Sequence, residues 1–408
     1  MRYKGKEFYD YRLDAFRARF GVQNPPANYV WNSIELDLIE NNNYVDWEDL
    51  ALTDALLTSH SMSYSSGTSK SSVYSSLNYF TQDGIIPNSG FDRLQFKLNY
   101  SHKLTDKLSL DAIVNIQNAN QNRETGGLFL ANLSPIAKPY DDEGNLVKYF
   151  LGEENASSIN PLWDQRESVD ETETNLTDIS LRFNYDFTPK FSYSLKTFYR
   201  NRNTDQGTYR SSNHSAGDEG NNGIGVLIDT QYKQVLVEHI FNYDILDNDT
   251  HKLDFTGVHA YDEQNFKFNQ LDKSDFVNNA LGYNGLASEL LNNSRDISRR
   301  RVLSFMGRVR YSLLDKYLFE VTTRADGASV FSEENKWGYF PAISAAYKAE
   351  KDLNLDYIDQ LKVRLSYGST GNQGINPLES SGVAQYNPYT FATTTVRGSS
   401  ASSRLRNP

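Results

Sequence analysis

The chain has 408 residues, no cysteine and a formal net charge of -11. This removes disulfide and thiolate chemistry and argues against a nucleic-acid partner held by phosphate attraction. Mean hydropathy is -0.62, and the longest apolar run, near 51–57, falls far short of the roughly 20 residues of a spanning helix; a membrane barrel, whose alternating strands average out polar, stays open.

At the N-terminus, MRYKGKEFYDYRLD puts charges where a signal peptide has its apolar core, so no export signal is expected in the chain as given. Tyr9, Leu13, Phe16 and Phe20 fall at helical spacing, with Gly21 at the C-terminal cap. Asp46 precedes WEDLALTDALL in the manner of an N-cap with an acidic first turn. Residues 1–58 are therefore predicted as two short helices joined by a Pro- and Asn-rich loop.

Strands are predicted from residue 59 to 369. SMSYSSG and KSSVYSSLNYF flank a tight GTS turn. In FDRLQFKLNYSHKLTDKLSLDAIVNIQN, Leu94, Phe96 and Leu98 alternate with polar residues, and after the turn Leu108, Leu110, Ala112, Val114 and Ile116 do the same. Only Ile113 breaks the alternation. This is the two-residue period of strands with one apolar and one polar face. Further hairpins turn at TPK, DILDNDTH and SLLDK, and 337–347 pairs with 361–367, giving about twelve strands of about ten residues. Short turns alternate with long polar segments at 118–175, 201–230 and 262–298. An up-and-down barrel would gather the short turns at one end and the long loops at the other, whereas a Greek-key sandwich has no such rule. Aromatic residues make up 13% and gather near strand ends, as in an interfacial girdle. The expected fold is all-β: a partial antiparallel transmembrane barrel behind a short helical segment, with 370–408 as an outer loop.

In that fold Leu94, Phe96, Leu98, Leu108, Leu110, Ala112, Val114 and Ile116 face lipid. The opposite phase, Arg93, Lys97, Asp111, Asn115, Arg182, Lys196 and Arg364, faces a wet lumen. The stretch RADGASVFSEENKW offers Arg324, Asp326 and Trp337 as ligand-contacting loop residues; the competing reading pairs Arg324 with Asp326 as a structural knot. The six His lack metal-ligand spacing, although His239 and His259 lie on different strands and could approach. YDDEGNLVKY fails the calcium-loop spacing and reads as a turn. NGIGV lacks the third glycine of a dinucleotide site. No Ser/His/Asp grouping supports catalysis, so no enzyme and no cofactor are expected.

The words LNYFTQDGIIPNSGFDRLQFKLNYSHKLTDKLSL, YLFEVTTRADGASVFSEENKWGYFPAISAAYKAE and LKVRLSYGSTGNQGINP resemble the barrel portion of the SusC/RagA family of TonB-linked outer membrane proteins of the Bacteroidetes. The resemblance covers most of 44–377 and is most specific over 324–347 and SYGSTGNQ. It implies a barrel of about 22 strands, an N-terminal plug, and import of an oligosaccharide, a peptide or another large nutrient. It also implies a SusD-like surface lipoprotein as lid and energy from the TonB complex, in the cell outer membrane. No plug or TonB box is recognisable, so the chain is expected to be a fragment with two open sheet edges, which hydrocarbon does not tolerate. The alternative is a soluble secreted β-rich adhesin or glycan-binding module.

Overall fold

The computed structural model describes residues 5–124, 133–152, 158–218, 220–353, 357–375, 384–391 and 394–401. Twelve strands form one antiparallel sheet in strict sequence order. They are β1 (Leu57–Gly67), β2 (Ser71–Asp83), β3 (Gly90–Lys103), β4 (Leu108–Asn122), β5 (Ser168–Thr188), β6 (Phe191–Arg210), β7 (Ile224–Asp247), β8 (His251–Phe276), β9 (Ala287–Leu313), β10 (Tyr317–Ala328), β11 (Trp337–Lys348) and β12 (Lys362–Gly368). A separate hairpin, β13 (Ala384–Phe391) and β14 (Thr394–Ala401), lies in the stretch expected to be loop.

Turns at 68–70, 104–107, 189–190, 248–250 and 314–316 close one end of the sheet, and the connections 84–89, 123–167, 211–223, 277–286 and 329–336 close the other. The link 349–361 is a longer one on the short-turn side. The turn residues account for the tight closures. Thr68 Oγ1 accepts the backbone N–H of Lys70 and Ser71, and Thr188 Oγ1 does the same for Lys190 and Phe191. Leu314 and Asp315 take positive φ (57° and 52°) in the β9–β10 turn, the geometry that matches strand twist.

The strands depart from the predicted length of about ten residues. β5 to β9 run 21, 20, 24, 26 and 27 residues. The polar segments 201–230 and 262–298 are thus largely ladder rather than loop, while 118–175 stays mostly connection, with ladder only at its two ends. Main-chain pairing continues after the side chains become polar on both faces, and a stretch polar on both faces carries no period to read.

Four helices precede the sheet, not two. α1 (Lys6–Phe20) ends at Gly21 in the left-handed region (φ 68°). α2 (Ala27–Val30) and α3 (Ser33–Glu40) occupy the expected loop, and α4 (Trp47–Ala51) is capped by Asp46. α3 opens on a reciprocal capping box between Asn32 and Glu35. These helices fold with the β4–β5 connection into a small globule at the long-connection end. Trp47, Ala51, Ala137, Phe150 and Leu162 form one buried cluster, and Val30, Trp31, Leu38 and Ile136 another. The Trp47 indole N–H donates to the Ser134 carbonyl at 2.8 Å, so one of the globule's two buried indoles has its polar atom satisfied, whereas the buried Trp31 Nε1 has no partner among the described residues.

Candidate functional site

Cross-strand partners in an antiparallel sheet point to the same face, so the register assigns every side chain to one of two surfaces. Phe96 pairs with Ile116, Leu98 with Val114, and His102 with Leu110; Leu108 pairs with Tyr185 and Ala112 with Leu181. The residues Leu94, Phe96, Leu98, Leu108, Leu110, Ala112, Val114 and Ile116 therefore share one face. That face stays mainly apolar across the sheet, through 191–199 on β6, 235–243 on β7, 303–313 on β9 and 317–325 on β10, with the paired His239 and His259 a break in it. Along each of these strands the apolar stretch is about nine to eleven residues, the length of a tilted membrane strand. Above it the same face turns polar, with Glu173, Asp205 and Asp229 in one row and Glu263 held by Arg299 and Arg301. Leu94 (48% exposed), Phe305 (47%) and Val321 (53%) illustrate how uncovered the band is.

Aromatic rings line the short-turn edge of the band. Tyr185 meets Phe187, Phe187 meets Phe191, and Tyr317 stacks on Tyr347, with centroids 4.7, 5.2 and 5.3 Å apart. His239 and His259 do approach: they are direct cross-strand partners, stacked at 5.5 Å, and the Tyr193 hydroxyl lies 2.7 Å from His239 Nδ1. Among the described residues no group of three or more His, Asp or Glu side chains is arranged to hold a metal ion.

The opposite face is charged. Lys97 pairs with Asn115, and Asp111 with Arg182. Arg182 in turn pairs with Lys196, whose ammonium reaches Glu238 at 2.9 Å. Arg93 lies over the Phe80 ring, 5.6 Å from its centroid, and Arg364 is the partner of Ala346 on the same surface. Ile113 stands on this face between Asn99 and Ser180, 48% exposed, which explains why it interrupts the alternation.

Arg324 and Asp326 come together on the charged face. The guanidinium Nε donates to both Asp326 oxygens at 2.8 and 2.9 Å, and Nη2 to Ser304 Oγ at 3.1 Å. Trp337 stands on the apolar face instead, 6.2 Å from Phe305 and against Gly327, where a Cβ would come within 2.9 Å of the indole. In YDDEGNLVKY, Asp141 accepts the Asn145 side-chain amide at 3.0 Å and its backbone N–H at 2.6 Å, and Gly144 takes φ 83°, a reverse turn; the side-chain hydrogen bond first, then the backbone one, lowers the Asp141 pKa.

Sequence reasoning did not single out a row in which Gln117, Leu176, Arg202, Tyr232 and Phe266 are successive partners across β4 to β8. With Arg200 in the neighbouring row they line a cavity of about 780 Å³ on the charged face. Only the strand phase, carried through the polar extensions, would have found it.

Two surfaces of this kind, on strands in up-and-down order, define the wall of an outer-membrane-type barrel. The chain belongs to the TonB dependent receptor-like β-barrel family, whose profile matches residues 117–402. It is similar to TonB-dependent receptor P26 of Formosa agariphila, 28% identical over 382 residues that cover 90% of this chain and 37% of that protein. It is also 28% identical to TonB-dependent receptor SusC of Bacteroides thetaiotaomicron, over 86% of this chain and 37% of that one. Among solved structures, the RagAB peptide importer in its closed-closed state superposes with a TM-score of 0.79 over 97% of this chain and 47% of that one, at 19% identity, a likeness of fold. The chain thus spans less than half the length of these relatives.

Proposed function

We propose that this chain is part of the barrel wall of a TonB-dependent outer membrane importer for a large nutrient, an oligosaccharide or a peptide. In this reading the apolar band contacts lipid and the charged face lines the wet interior. The band is the observation that carries it. Exposed apolar surface of this extent on a soluble module would be an association liability, whereas a height of about nine to eleven residues suits a bilayer. That argues against a soluble adhesin or glycan-binding module. The likeness to SusC and to the RagAB peptide importer supports a SusD-like surface lipoprotein as partner and the TonB complex as energy source.

The importer needs no catalytic group, and its wall positions side chains for binding and release. Long strand extensions carry the charged face beyond the band, so a nutrient meets guanidinium, carboxylate and amide groups before it reaches the depth of the membrane. The test compares the spent medium of parent and gene-deletion cells grown on mixed oligosaccharides and peptides. The reading expects a defined set of large nutrients to remain unconsumed in the deletion strain, and the same set in a strain lacking TonB. Identical depletion in all three strains would overturn it.

A further inference from the structure

The row on the charged face has a chemistry of its own. Arg202 is exposed, flanked by Leu176 and Tyr232, with Phe266 one strand further. Arg200 beside it is committed to Asp178 through two hydrogen bonds at 2.7 and 2.9 Å. Arg202 has neither an ion pair nor a side-chain hydrogen bond among the described residues. An unpaired guanidinium between apolar and aromatic side chains, in a cavity of about 780 Å³, is a donor fork awaiting an anion.

We infer that this row is a binding subsite for an anionic oligosaccharide, with Arg202 receiving a sugar carboxylate and the Tyr232 and Phe266 rings packing against sugar faces. The inference rests on the importer reading. One observation favours a glycan over a peptide held by strand addition. Each of β5 to β8 is paired on both sides along this row, so no strand edge is free for the main-chain pairing by which extended peptides are held. What remains is side-chain chemistry: a guanidinium, the Gln117 amide, and two rings. With strands about 4.8 Å apart, five strands make a row roughly 19 Å across, long enough for several sugar units.

The test uses the full-length receptor in detergent and isothermal titration with tetragalacturonate, maltotetraose and tetraglutamate. Tetragalacturonate should bind, more weakly as salt rises, while maltotetraose binds at least tenfold more weakly. Arg202→Gln should weaken tetragalacturonate by roughly tenfold or more, and Phe266→Ala by roughly threefold. Unchanged heat-modifiable gel mobility of each variant shows that the barrel still folds. Failure of tetragalacturonate to bind, equal binding of maltotetraose, preference for tetraglutamate, or indifference to Arg202→Gln overturns the subsite. Each leaves the importer reading standing if nutrient depletion still depends on the gene and on TonB; loss of that dependence removes the importer reading itself.

Discussion

Placing arginine at three successive positions of β4 tests the assignment of faces. Val114 lies within the apolar stretch of its strand, between Leu98 and Ile179. With the apolar band in lipid as proposed, an arginine there sits in hydrocarbon near mid-depth, at a cost of about 2–4 kcal/mol, or roughly 30- to 900-fold in the folding equilibrium. Its neighbours point the other way. Asn115 pairs with Lys97 and Asp178 and accepts a hydrogen bond from Gln95 at 2.9 Å; an arginine there loses that bond and stands beside Lys97, but shares Asp178 with Arg200 on a wet face. Ile113 lies between two polar residues and is already half exposed. Asn115→Arg and Ile113→Arg should each cost less than about 1 kcal/mol. Urea titration of the full-length protein in lipid vesicles, read by heat-modifiable gel mobility, measures all three. Ile113 is the sharper control, because hydropathy alone ranks it with Val114. Equal costs for Ile113→Arg and Val114→Arg would refute the assignment of faces.

Trp47→Ala removes one of the two buried indoles of the helical globule and should cost the globule about 3–5 kcal/mol, seen as faster proteolysis within 133–167 with barrel mobility unchanged. Gly207 lies under the Tyr283 ring, 2.3 Å from where a Cβ would stand; Gly207→Val should displace the 277–286 connection, detectable as faster hydrogen exchange there. His214 is buried where the 211–223 connection meets α5 (Pro161–Arg166). Burial lowers its pKa, against the opposing charge of Asp164; Arg210 and Lys148 lower it further and Glu167 raises it. The unfolded connection then binds a proton more readily than the folded one. The stability from a neutral His214 is complete above about 6.5 and falls as pH drops below it. The protection factor of 211–217 against hydrogen exchange, which divides out the slowing of intrinsic exchange by acid, should therefore fall between pH 7.5 and 5 in the parent, and less in His214→Gln; an equal fall in both would remove the histidine from the cause.

The alternation across Phe91–Asn118 was legible because one phase is apolar and the other polar, and the register pairs the residues of each phase on a common face. α3 was missed although Asn32 and Glu35 carry a capping-box spacing; a Pro- and Asn-rich context obscured it. The globule was not legible, since Trp47 and Ser134 meet across 87 residues of chain and nothing local announces that contact. The long strands escaped notice for a different reason. Polar residues on both faces give no period, so Arg202 and Phe266 read as loop. Arg324 and Asp326 were singled out together and lie together, while Trp337, eleven residues beyond Asp326, turns to the other surface because its cross-strand partner is Gly327, one residue past Asp326 and of the opposite phase.

In the proposed importer, the length of β9 sets the height at which a nutrient first feels the protein. The strand runs from Ala287 to Leu313, and its apolar stretch begins near Leu303. At about 3.3 Å per residue and a tilt of about 40°, the part before it rises roughly 40 Å above the band. That is about five screening lengths at physiological salt. Charges at the lipid surface are therefore muted at the rim, and the field that draws or repels an approaching solute there is the protein's own.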